Sequence, residues 1–258
     1  MSAIPLNDAP SMDNHAQTQE APGLLIHQSE GCWVFELNRP EKMNALSAEL
    51  VESLIEGLSQ ARQQQVDLLV FRGTGRNFSA GFDFTGFEDQ SEGDLALRFI
   101  RLETLLQSLA SMPCHTLALA HGRNFGAGVD LFAVCKQRVC TEDSTFRMPG
   151  LKFGLVLGSR RFATIVGNDT ALQVLGTTKT FTAQEAVSMR FVHSVATNEQ
   201  WEACIDDAHS VSIALDRATR STFYRVMDVA DHATDMAELV RSATTPGLKN
   251  RIRNYLKK

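Results

Sequence analysis

The sequence predicts an α/β fold, on three observations. Short runs rich in β-branched and aromatic residues alternate with segments whose apolar residues recur at helical spacing. The stretches between successive apolar runs are long enough to hold crossover helices, which implies parallel strands rather than a sandwich or a bundle. Finally, 258 residues with 43% hydrophobic side chains can bury a sizeable core in one enzyme-sized unit.

Residues 1–23 are rich in Ala, Pro, Ser, Asn, Asp and Gln and carry neither an apolar signal core nor an Arg-rich amphipathic pattern. They read as a disordered leader, or alternatively as a segment that packs on a neighbouring subunit. The alternating run Cys32–Leu37 predicts a strand, closed by Asn38-Arg39-Pro40. Ser47 is placed as an N-cap for an amphipathic helix carrying Leu50, Val51, Leu54, Ile55 and Leu58 and ending near Gln63. The compact apolar run 66–72 predicts a buried strand entering the turn Gly73-Thr74-Gly75. A helix over 94–109, a stop at Met112-Pro113, a strand at His115–Ala120 and a helix over 126–135 repeat the grammar. Residues 182–190 begin a further helix, 192–196 a short strand, and 201–215 another helix, so the C-terminal part is mostly helical.

Net charge is −5 and the pI about 5.8, which speaks against nucleic acid as a partner. The five cysteines contain no Cys-x-x-Cys pair and lie mostly in apolar runs, so they read as core thiols of a cytoplasmic protein. No apolar stretch is long enough to span a bilayer. No Cys/His or His-Glu-x-x-His spacing points to a metal. The last ten residues carry Lys249, Arg251, Arg253, Lys257 and Lys258. They read either as a solvated tail or as a cationic arm toward a phosphate group.

Two loops put small residues where a strand hands over to a helix: Asn77-Phe78-Ser79-Ala80-Gly81-Phe82-Asp83-Phe84, and Gly122-Arg123-Asn124-Phe125-Gly126-Ala127-Gly128-Val129-Asp130-Leu131. Backbone N–H groups at a helix start have no intrahelical partner and can bind an oxygen; ordinary capped turns would have the same composition. The second loop lacks the third glycine of a dinucleotide fingerprint, no Gly-Lys-Ser/Thr makes a phosphate loop, and Ser79 lacks the first glycine of a nucleophile elbow.

Taken together, and in order, Leu37-Asn38-Arg39-Pro40 with Asn44-Ala45-Leu46, the Phe78 to Asp83 loop, Gly122 with Gly126-Ala127-Gly128, Pro149 with Gly154, and Gly176-Thr177-Thr178 leading to Phe191 resemble the crotonase (enoyl-CoA hydratase/isomerase) superfamily. The resemblance runs from about Gly31 to the C-terminus. It implies a crotonase-like spiral of ββα repeats over 24–195 and a C-terminal helical trimerisation region over 196–258. It also implies an acyl-CoA thioester as ligand, with coenzyme A belonging to the substrate and no tightly bound cofactor, and a homotrimer or dimer of trimers. By position the two oxyanion N–H groups are those of Phe82 and Ala127. Coenzyme A contacts fall on Lys42, Met43, Ala45, Leu46, Ala80, Asp83 and Phe84. Glu41 stands where the family often has a cation, which makes the basic C-terminal segment a candidate phosphate partner.

Two departures from the family's hydratases bear on chemistry. Hydratases use two glutamates; Asp130 occupies the first position, one methylene shorter, and Gly150 the second. The segment Leu157-Gly158-Ser159-Arg160-Arg161-Phe162 is about three residues shorter than the family's, so the acyl pocket is reshaped and Arg160 or Arg161 could enter it, or one could match the family's structural arginine. His121 reads as a core histidine; Lys152, Glu88 and Asp89 are minor candidates. The expectation is an acyl-CoA enzyme acting through an enolate, better suited to isomerisation, decarboxylation or thioester hydrolysis than to hydration. The alternative is a catalytically silent acyl-CoA-binding or assembly protein.

Overall fold

A computed structural model describes residues 17–257. Strand β1 (Gln17–Ala21) pairs antiparallel with β2 (Leu24–Ser29), with Gln17 opposite Gln28 and Ala21 opposite Leu24. The leader expected over 1–23 is therefore corrected at its end: residues 17–21 are sheet, 22–23 form the following turn, and residues 1–16 lie outside the described residues. The polar composition misled because an edge strand is held by backbone pairing on one side and tolerates Gln, Thr and Glu facing water. Gly23, at φ +72, closes the hairpin.

Strand β3 (Cys32–Leu37) follows, then α1 (Ala48–Gln63), whose first turn is capped by the Ser47 hydroxyl accepting from Leu50 N–H. Leu50, Val51, Leu54 and Leu58 bury its inner face. Next come β4 (Leu68–Gly73), α2 (Glu92–Ala110) with a Ser91/Asp94 capping box, and β5 (His115–Ala120). Strand β6 (Arg123–Phe125) leads into α3 (Ala127–Ala133), shorter at both ends than the 126–135 expected. Then follow β7 (Gln137–Cys140), β8 (Thr145–Arg147), α4 (Ser159–Val166), α5 (Asn168–Thr177), β9 (Phe181–Thr182), α6 (Ala183–Ser188) and β10 (Ser194–Val195). Four helices end the chain: α7 (Trp201–Ile213), α8 (Arg217–Met227), α9 (His232–Thr244) and α10 (Leu248–Leu256). No described helix is long and apolar enough to cross a membrane.

The main sheet runs β1-β2-β3-β4-β5-β7-β10, parallel from β3 onward; a second sheet, β6-β8-β9, stands beside it. Helices α1, α2, α9 and α10 contribute to one large core, in which Phe132, Phe146, Phe162, Phe181 and Phe191 pack ring on ring and grip α3 and α4 from behind. Helix α7 covers Leu68, Val70, Leu117 and Leu119 on the other face of the main sheet. Because β3, β4 and β5 are parallel neighbours, the loops that leave their C-terminal ends emerge side by side, where open α/β sheets bind ligands.

Asn44 ties those loops together. It is fully buried at φ +53, a conformation asparagine tolerates, and its amide donates to the carbonyls of Thr74 and Asn77, both at 2.8 Å, while accepting from Arg39 N–H at 2.8 Å. Its own carbonyl accepts from the Ser79 hydroxyl at 2.8 Å. Asn44→Ala leaves three part-buried backbone groups without their partner and removes a left-handed former, so unfolding in urea should show a loss of about 3 kcal/mol with an unchanged m value. A loss below about 1 kcal/mol would show that the clip is dispensable.

Candidate functional site

The two glycine-containing loops meet back to back. Phe125 N–H donates to the Ser79 carbonyl at 3.0 Å, and Ser79 and Asn124 form a parallel bridge. Gly81, at φ +82, lies so close that an ideal Cβ would sit 2.3 Å from the Phe125 carbonyl oxygen and 3.0 Å from Ala127 N. Gly128 likewise abuts Ser79, whose carbonyl oxygen would lie 2.6 Å from its Cβ. Any side chain at either glycine would force the loops apart.

This contact brings two backbone donors to one place. Phe82 follows Gly81, and Ala127 is the first residue of α3, with Gly126 as its cap. Neither N–H has a hydrogen-bond partner among the described residues, although their neighbours do: Gly81 N–H donates to the Ser79 hydroxyl, Asp83 N–H to the Leu46 carbonyl and Gly126 N–H to the Arg147 carbonyl. Both residues line a cavity of about 100 Å³, with Ala80, Phe84, Phe99, Met148, Gly150, Phe153, Leu155 and Leu175 making much of its apolar wall.

Asp130 lines the same cavity one turn into α3 and is 3% exposed. Its side chain makes no hydrogen bond among the described residues, and its buried Oδ1 lies over Gly158, where an ideal Cβ would be 1.7 Å away. Gly158 caps α4, so the start of that helix lies against Asp130. Burial pushes the Asp130 carboxyl well above the ordinary carboxylate range; the Arg161 charge pulls it back and the Glu103 charge pushes it further up. Among the residues lining the cavity, Asp130 is the sole carboxyl, and Gly150 adds none.

The other expected site residues divide. Ala80 and Phe84 line the cavity. Leu46 and Ala45 do not offer free backbone: Leu46 N–H donates to the Gly81 carbonyl at 2.7 Å, Ala45 N–H to the Lys42 carbonyl, and the Ala45 carbonyl accepts from Arg39. Asp83 is 6% exposed, ion-paired with Arg39 at 2.8 Å and capped by Thr85 N–H, so its carboxylate is a brace for the loop. Burial opposes its ionisation, but the bonds from Thr85 and Arg39 outweigh it and hold the group below its usual range. Lys42 and Met43 keep exposed side chains at the loop tip.

Neither arginine of α4 lines the cavity. Arg160 pairs with Asp235 at 2.9 Å, and Arg161 with the buried Glu103 at 3.1 Å, because α9 and α2 present acids to α4. The basic C-terminal segment is also largely spent within the fold. Arg253 forks onto Glu88, Lys249 Nζ donates to the Glu88 carbonyl, and Arg251 donates to the carbonyls of Phe153, Thr245 and Ser242. His121 Nε2 donates to the Gly75 carbonyl at 3.0 Å and its ring packs on Trp201; burial lowers its pKa, as suits a core histidine. Lys152 is exposed. Burial pushes the Cys114 and Cys140 thiols up to about 11 and Cys135 to about 12, so none of these three is a thiolate nucleophile at neutral pH.

Two site residues escaped the sequence reading. Tyr255 of α10 lines the cavity and packs on Phe153, ring centroids 5.2 Å apart; its signal was the spacing Leu248, Ile252, Tyr255, masked by the cations between. Glu103 is 1% exposed, and its signal was a charge on the apolar stripe of α2 beside Phe99, Leu102 and Leu106.

The sequence pattern of the enoyl-CoA hydratase/isomerase family matches residues 27–246, and the chain belongs to that family. A probable enoyl-CoA hydratase of Mycobacterium tuberculosis is 31% identical over 201 residues, covering 76% of this chain and 80% of the relative. A crystal structure from Bordetella parapertussis described as an enoyl-CoA hydratase/isomerase is 59% identical, with a TM-score of 0.91 over 92% of this chain and 99% of that one. An enoyl-CoA hydratase structure from Bacillus halodurans, 18% identical, shares the fold at a TM-score of 0.80 over 90% of this chain. The α/β architecture is thus the crotonase fold.

A carboxyl whose folded pKa is raised contributes stability at low pH that is lost as pH rises through the folded value. Asp130→Asn has no such charge to bury. In thermal denaturation the Tm of the variant minus that of the wild type should therefore grow as pH rises from the ordinary carboxylate range toward the raised folded value of Asp130. A difference that stays flat or shrinks would show that Asp130 is not held in its acid form by burial.

Proposed function

We propose that this acyl-CoA-processing protein moves a double bond along an apolar enoyl thioester. The observation that carries the reading is one carboxyl, Asp130, in an apolar cavity that also receives the unpaired Phe82 and Ala127 N–H groups. The thioester oxygen would accept from both donors. Asp130 as carboxylate takes a proton from the carbon at one end of the allylic unit, and the electrons move onto the thioester oxygen as a dienolate. The Asp130 acid then returns the proton to the other end, and the carbonyl re-forms. One group that both accepts and donates works best with a proton affinity raised toward the working pH. Each backbone donor aimed at the developing charge contributes about 3 to 4 kcal/mol.

The rival reactions lack parts. Hydration asks for a second carboxyl where Gly150 stands. Decarboxylation asks for a cation beside the departing carboxylate, and no Lys or Arg lines the cavity. Coenzyme A enters as part of the substrate, with Lys42 and Met43 as its nearest exposed loop contacts and no resident cofactor required. Exposed Val211, Ile213, Phe223, Val226 and Met227 on α7 and α8 support a homotrimer, or a dimer of trimers, formed through the C-terminal helices. Unpaired buried thiols support a reducing cytoplasm.

Assays with 3-enoyl-CoA and 2-enoyl-CoA thioesters test the reading. Wild type should isomerise the former at least about 100-fold faster than it hydrates the latter, and Asp130→Asn should lose isomerisation by about 100-fold or more. Efficient hydration of crotonyl-CoA would overturn it. Tight acyl-CoA binding with no turnover of either thioester would instead favour the silent-binder alternative, which Gly150 motivates.

A further inference from the structure

Behind the cavity, three ionisable side chains come together with little exposure to water. Glu103 comes from the inner face of α2, Arg161 from the first turn of α4, and Asp130 from α3, against which both helices pack. Glu103 Oε1 accepts from Arg161 Nη2 at 3.1 Å and from Gln107 Nε2 at 2.8 Å; the Gln107 amide also donates to the His232 carbonyl, which fixes it in place. Arg161 Nε and Nη1 are buried and have no partner among the described residues, and the same is true of Asp130 Oδ1. The Arg161 guanidinium bonds to Glu103, and its charge also acts on Asp130.

We infer that Glu103 is a positioning residue for Asp130: by holding the buried guanidinium in its own ion pair, it denies Asp130 a cationic partner and sets the proton affinity of the carboxyl that faces the cavity. Two carboxylates with one cation would leave a net negative charge in a dry site, so one carboxyl keeps its proton. Glu103 has two donors, Arg161 and Gln107. Asp130, with no donor, holds the proton. The other elements packed on α3 do not change this balance. Strand β5 brings His115, which is bonded to Tyr224 and Gln137, and β6 brings Arg123, which is exposed. Tyr255 of α10 lines the same cavity and carries no charge as a phenol. The raised affinity of Asp130, with Glu103 pushing it up and Arg161 drawing it down, agrees with this arrangement.

The consequence for catalysis rests on the isomerase reading, in which Asp130 must both take and return a proton. Replacing Glu103 by glutamine keeps shape and hydrogen bonding but removes a negative charge and frees the full positive charge of Arg161 to act on Asp130. Both effects lower the affinity of Asp130 for its proton.

Carbon-13 NMR of the full chain with carboxyl-labelled aspartate tests the inference, the Asp130 signal being assigned by its absence in Asp130→Asn. In Glu103→Gln the Asp130 midpoint should fall by about one pH unit or more, and Glu103→Asp should bring it back toward the wild-type value. The rising limb of the isomerisation pH profile should move down with it. If Glu103→Gln does not fold, the charge-balanced double variant Glu103→Gln, Arg161→Gln serves, because it leaves no unpaired ion. Its Asp130 midpoint should be no lower than that of wild type. An unmoved or raised midpoint in Glu103→Gln, or a lowered one in the double variant, would overturn the inference. A shifted midpoint in a protein that turns over no enoyl thioester would leave the coupling standing and sink the isomerase reading alone.

Discussion

The contact on which the rest depends is between Gly81 and the Phe125 carbonyl. It is a backbone-on-backbone contact with no room for a Cβ, and it sets the separation of the Phe82 and Ala127 N–H groups without the help of any side chain. Everything around it serves to keep two loops from different strands at that spacing. Asn44 fastens the first loop to the exit of β4, Arg39 and Asp83 brace it from outside, and the five-phenylalanine cluster holds α3 and α4 from behind. A donor pair defined by backbone is indifferent to the identity of the side chains at its own positions, which is why Phe82 and Ala127 can stand there.

Charge in this protein is mostly consumed internally. Arg39, Arg160, Arg161, Arg251 and Arg253 each end on a carboxylate or on carbonyls of the same chain. The result is a cavity with largely apolar walls and a single carboxyl, which on the proposed reading selects an apolar acyl group. The chemistry open to such a cavity is then governed by how tightly Asp130 holds its proton. That is decided one layer out, by which carboxyl claims the guanidinium of Arg161.

Much of the fold was legible because its signals are local. Ser47 and the Leu50 to Leu58 spacing gave α1, and the compact apolar run 66–72 gave a buried strand, observed as β4. The edge strand β1 was not legible, since its stability comes from pairing with β2 and its composition is that of a loop. At the site, the two glycine loops could be found from small residues at strand ends, and Asp130 from its place after Gly126-Ala127-Gly128. The fates of Arg160, Arg161 and the basic C-terminal segment could not, because a cation's partner is chosen by helices distant in sequence. Tyr255 and Glu103 were hidden for the same reason: each reaches the site through α10 or α2 packing, and each sits among residues whose local pattern suggests something else.

The most direct test of the central claim is a crystal structure with a saturated acyl-CoA such as butyryl-CoA. The account predicts the thioester oxygen within about 2.7 to 3.1 Å of both Phe82 N and Ala127 N, with the acyl chain against Phe84 and Phe153 and its α-carbon facing Asp130. A thioester oxygen bound to neither N–H, or an acyl chain seated outside this cavity, would contradict it.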